Sequence, residues 1–77
     1  MNWPPEAYLE DGLTVGDDVL VLEPPPETGR INTNTEIYYP MEGTLLSKQI
    51  IPHCAMVTIR HPILGVFSFG NHPVVRA

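Results

Sequence analysis

Few residues in this 77-residue chain carry chemistry, and their spacing decides what they can do. Three histidines each touch a proline, in Pro52-His53, His61-Pro62 and His72-Pro73, and the single cysteine, Cys54, follows His53. Imidazole and thiolate are zinc ligands, so a metal centre is the first chemistry to weigh. Geometry argues against it. Within one strand, His53 and His61 would stand about 26 Å apart at the usual rise per residue. His53 and Cys54, as neighbours, would point to opposite faces. No Cys-x-x-Cys or His-x-x-x-His pair occurs. No metal and no cofactor is expected, and the histidines read as half-exposed residues at strand ends.

Nucleophilic catalysis fares no better. Cys54 would need a base and an oxyanion hole, and His61 falls on the other strand face. A small, partly buried free thiol is the expected role. Ser68 lies in Gly65-Val66-Phe67-Ser68-Phe69-Gly70, one residue off a nucleophile elbow and without the strand-turn-helix context. Asp17-Asp18 follows Gly16, where adjacent acids cap backbone N–H groups. A non-enzymatic protein is expected.

The elements that place these residues read as short strands. Gly16-Asp17-Asp18 marks a turn before Val19-Leu20-Val21-Leu22, a strand apolar on both faces and so covered twice or paired at an interface. Pro24-Pro25-Pro26 stops it. Glu36-Ile37-Tyr38-Tyr39 reads as a second strand, halted by Pro40. Residues 44–51 fit a helix or a strand, and the strand is favoured because Pro52 closes a short segment. Cys54–His61 alternates most clearly, with Ala55, Val57 and Ile59 facing the core. Leu64–Phe69 places Phe67 and Phe69 on one face, and Val74-Val75 makes a last short strand. Connections this short favour antiparallel neighbours.

The expected fold is all-β: a small antiparallel barrel or sandwich of five or six short strands, with an extended Pro-rich N-terminal arm. Residues 1–12 are expected as the arm, and 13–77 as one β domain with a Pro-rich loop at 23–34. Thr14-Val15-Gly16-Asp17-Asp18-Val19-Leu20-Val21 resembles the first strand of SH3-like small barrels. That resemblance implies a shape and no function.

Charge is split along the chain. All nine acids precede residue 43, where Arg30 is the one base, for a net of −8. Lys48, Arg60 and Arg76 follow with no acid, for +3. So few cations, spread so widely, do not suit a phosphate backbone, and nucleic-acid binding is not expected. No apolar run approaches the length of a membrane span, and no apolar stretch after Met1 signals secretion. One cysteine forms no intrachain disulfide.

A domain of this size buries little surface, so partners are expected to complete it. Trp3, Tyr8 and Leu9 on a proline-stiffened arm, with Val19, Leu20, Val21 and Leu22, are the expected partner-binding residues. Asp17, Asp18, Lys48, Arg60 and Arg76 are the expected intersubunit charge contacts, and removal of the arm should leave the β domain folded. These features point to a structural protein acting in many copies within a larger assembly, such as a capsid-stabilising, decoration or connector protein of a bacteriophage. Its partners would be protein subunits, including copies of itself, in a virion or the cytoplasm. The alternatives are a small acidic inhibitor of a larger protein, of the anti-CRISPR or anti-restriction kind, and an SH3-like accessory subunit of a cellular complex.

Overall fold

The computed structural model describes residues 3–24 and 38–77. Their strands form one antiparallel sheet: β1 (Asp18–Val21), β2 (Met41–Ile51), β3 (Cys54–His61), β4 (Gly65–Gly70) and β5 (Val74–Arg76). Their order across the sheet is β4-β3-β2-β1-β5. Among the described residues β4 pairs with β3 alone and β5 with β1, so the sheet is open. The all-β antiparallel expectation holds, whereas closure into a barrel or a second layer is not seen.

One face of the sheet carries the core. Val19, Val21, Leu45, Val57, Ile59 and Val74 are buried there with Leu13, Met41 and Phe69. Each strand contributes alternate residues, as a half-buried sheet requires. Ala55, Val57 and Ile59 face inward as their spacing dictates. Opposite them lies an outer face with Asp18, Leu20, Thr44, Thr58, Arg60, Val66 and Ser68.

The second strand departs from its expected position. It begins after Pro40 and runs without a break to Ile51. Tyr38 and Tyr39 lie outside it, and Glu36 and Ile37 lie outside the described residues, as do Pro25, Pro26 and most of the expected loop. Gly43 is therefore a strand residue, not a boundary. It faces Val19, and a Cβ there would lie 2.8 Å from the Arg60 backbone oxygen. The glycine is required by close packing and not by a turn. Near Leu46 a bulge shifts the β2–β3 register between Leu45 and Ser47.

Tight turns set the rest. Pro52-His53 joins β2 to β3 as a two-residue loop. Pro62–Leu64 joins β3 to β4, and Gly65 closes that turn at φ +101°, a conformation that favours glycine. His61 Nδ1 accepts the backbone N–H groups of Ile63 and Leu64, at 3.1 and 3.0 Å. Asn71 Oδ1 accepts the Ala55 N–H at 2.8 Å and ties the exit of β4 to β3.

Candidate interaction surface

The N-terminal segment was expected to reach outward, and its described part folds back. Pro5–Tyr8 forms one 3₁₀ turn after Pro4, whose extended backbone suits an N-terminal flank. Leu9 then bridges Val74 in parallel, and the Glu10 N–H donates to the Val74 carbonyl at 2.9 Å. The segment thus lies along the outer edge of β5. Tyr8 is 2% exposed and Leu9 packs partly buried against the core. Trp3 packs against Tyr8 with the rings tilted by 35° and their centroids 5.2 Å apart.

The other apolar residues expected to meet partners divide by strand parity. Val19 and Val21 are fully buried in the core. Leu20 and Leu22 are half-buried, with Leu20 on the outer face beside Val75 and Glu42. Apolar residues at consecutive positions mean here that one set fills the core and the other meets outer-face neighbours. Parity alone does not separate the two sets, because both are apolar.

The charged residues also divide. Arg76 Nη2 donates to the Gly12 carbonyl at 2.7 Å and lies 3.5 Å from Asp17 Oδ2, while Nη1 lies 3.5 Å from Glu10 Oε2. Glu10 Oε2 also accepts the Arg76 backbone N–H at 3.1 Å. Arg76 and Asp17 therefore meet each other, and with Glu10 they clamp the N-terminal segment to β5. Asp17 Oδ2 caps the Thr14 N–H at 2.9 Å. That backbone bond holds its carboxyl below the usual 3.8; desolvation opposes it, and the Thr14 side chain and Arg76 reinforce it.

Among the described residues, open grooves flank the sheet. One, of about 310 Å³, separates the docked segment (Glu6, Leu9, Glu10) from Lys48 and Ile50 on β2. Another, of about 390 Å³, lies on the outer face, where register places Thr44 between Asp18 and Arg60. Asp18, Glu42 and Arg60 all line it.

The strongest polar arrangement is one that half-exposed strand-end histidines did not anticipate. His72 is 9% exposed; Nδ1 is 2.9 Å from the Gly70 carbonyl and Nε2 is 2.9 Å from the Tyr39 hydroxyl. A carbonyl only accepts, so Nδ1 carries the proton. In the neutral ring Nε2 accepts the Tyr39 O–H. Tyr39 stacks on the ring and Phe69 meets its edge. The signal in the sequence was the Asn71-His72-Pro73 link, which lies between the buried Phe69, one glycine before it, and the buried Val74 after it. His53 is exposed and His61 caps its own turn. Cys54 is half-buried with Sγ 3.4 Å from Met56 Sδ. Among the described residues no three His, Cys, Asp or Glu side chains cluster as a metal site would require.

Three exposed apolar residues share the β3–β4 hairpin, while Val15, Tyr38, Ile50 and Ile51 are exposed elsewhere. Ile63 is 86% exposed, Leu64 55% and Val66 58%. No acid lies anywhere in this hairpin. The opposite end of the sheet carries Glu10, Asp17 and Asp18 around β1 and β5, while Glu6 lies in the groove beside Lys48 and Ile50. The chain matches no protein family, no curated protein and no solved structure. No helix among the described residues is long and apolar enough to cross a membrane.

Proposed function

We propose that the chain is a non-enzymatic assembly module that works in many copies within a large complex, of the kind a bacteriophage virion uses as a capsid-stabilising or connector protein. The observation that carries this reading is the unlike character of the two ends of the sheet. One end is acidic and closed over by the N-terminal segment. The other is acid-free and exposes Ile63, Leu64 and Val66. A protein acting alone gains nothing from an exposed apolar tip, whereas a subunit gains a joint. Trp3, Leu20 and Leu22, half-buried in the chain, extend the candidate contact set, with Asp18, Lys48 and Arg60 as its charges.

The finer form, an SH3-like small barrel, belongs to the same reading. It is supported by the strand order β4-β3-β2-β1-β5, in which the last strand lies beside the first. Sedimentation of the purified chain over a wide range of concentration and salt tests the assembly reading. The expected result is a mass above that of one chain that rises with concentration. A single folded monomer at every concentration would count against it.

A further inference from the structure

The core-facing side of the sheet loses its cover toward the β2–β3 turn. Cross-strand partners share a face, so Ile50 and Lys48 stand on the same side as Ala55 and Val57. Ala55 and Val57 are buried there, whereas Ile50 is 48% exposed. The groove of about 310 Å³ lies between Ile50 and the N-terminal segment, with Leu9 on its opposite wall. Glu6, Glu10 and Asp11 line it on the segment's side. Among the described residues Arg76 takes up Glu10 and Asp17, and Glu6 and Asp11 hold no ion pair. The groove thus offers apolar walls and two uncommitted carboxylates.

The β3–β4 turn offers the converse. Ile63 is almost wholly exposed and Leu64 more than half. No acid lies anywhere from Cys54 to Ala77. His61 Nδ1 accepts two backbone N–H groups, so in the neutral ring Nε2 carries the proton. That N–H is the one side-chain donor in residues 61–66. Apolar side chains and a hydrogen-bond donor therefore stand together on one projecting turn.

We propose that the Ile63-Leu64 tip of one copy of this chain seats in the groove between Leu9 and Ile50 of a second copy, where His61 donates to the carboxylate of Glu6 or Asp11. The inference rests on the assembly reading and names both surfaces of its joint. A cavity of about 150 Å³ accepts a benzene ring, so a groove of about 310 Å³ has room for both side chains. Seating them removes Ile63, Leu64 and Ile50 from water together. Charge favours this pairing of surfaces. Two chains of net −5 repel, and the contact that avoids acid against acid sets the acid-free tip of one copy beside the acids of the other.

One chain does not satisfy itself in this way. Ile50 pairs with Ala55 at the start of β3, and the tip follows His61 at its end. The stretch from Ala55 to His61 measures about 20 Å at the usual strand rise. Each copy therefore presents the tip and the groove at opposite ends of β3. Unlike surfaces that meet in this way make a heterologous contact, which repeats into a ring or an extended array.

Sedimentation of the full chain beside Ile63→Lys and Ile50→Glu, alone and mixed, tests the proposal. Both positions are exposed, and unchanged circular dichroism should show both variants folded. The wild type should assemble, and each variant alone should remain a single chain. An equimolar mixture should restore one joint and stop at two chains, because the intact tip of Ile50→Glu fits the intact groove of Ile63→Lys. If Ile50→Glu fails to fold, Ile50→Ser takes its place. A wild-type multimer that Ile50→Glu leaves unaltered, or a mixture that stays as single chains, would overturn the tip-in-groove joint and leave the assembly reading standing. A wild type that stops at two chains, with the mixture restored, would support the joint and remove the many-copy reading. A monomeric wild type would overturn both.

Discussion

Gly43 occupies the tightest approach in the sheet, and its substitution should be felt at once. A Cβ would meet the Arg60 backbone oxygen at 2.8 Å and Ile59 Cδ1 at 3.0 Å. The side chain could yield, but the β3 backbone is held by pairing on both sides. Gly43→Ala should cost about 1–3 kcal/mol, the range of overpacked cores, read from the denaturant midpoint. Asp17 makes a prediction of a different kind. Its folded pKa lies below the ordinary 3.8, chiefly through the Thr14 backbone N–H. The ionised form is therefore favoured by folding, and its stabilisation is present above the unfolded value and lost as pH falls through the folded one. Melting temperatures taken from pH 6 downward should fall more steeply for the wild type than for Asp17→Asn below about pH 4. Equal slopes would show that the cap contributes nothing. Residues of this kind were only half legible in the sequence. The Gly16-Asp17-Asp18 turn announced a cap, whereas nothing local announces that Gly43 faces another strand's carbonyl.

At the scale of elements, the N-terminal segment is the instructive case. Its prolines and acids suggested an arm that reaches away from the domain. Its Tyr8 instead fills the core and its Leu9 extends β5. The deciding contacts, Glu10 to Val74 and Arg76 to Gly12, join residues more than sixty positions apart, so no local pattern reports them. Tyr8→Ala should lower stability by roughly 3 kcal/mol, as buried aromatic truncations do. Deletion of residues 1–12 should abolish the cooperative melt, and a deletion variant that still melts cooperatively near the wild-type temperature would restore the separate arm. Strands in the second half were far more legible. Cys54–His61 alternates strictly because one face meets the core and the other does not. β2 was legible only from Thr44 onward, since Pro40 and Gly43 look like stops, although the strand starts between them.

At the scale of the whole molecule, composition foretold two electrostatic halves but not how they lie. Folding brings the two signs together, through Arg76 with Glu10 and Asp17, Arg60 in one groove with Asp18 and Glu42, and Lys48 across another from Glu6 and Glu10. Of the apolar residues near the N-terminus that suit partner contacts, Tyr8, Val19 and Val21 are buried in the core. The exposed apolar tip at Ile63, Leu64 and Val66 was hidden in plain strand pattern, because edge and centre strands of this length read alike. The central proposal is that the chain closes its own β5 edge with the N-terminal segment and meets other copies through the acid-free tip at Ile63, Leu64 and Val66. Sedimentation of the wild type beside Ile63→Lys over a range of protein concentration tests it most directly. The wild-type mass should rise with concentration while the variant stays a single chain. A wild type that remains a single chain at every concentration, or a variant that assembles as the wild type does, would contradict it.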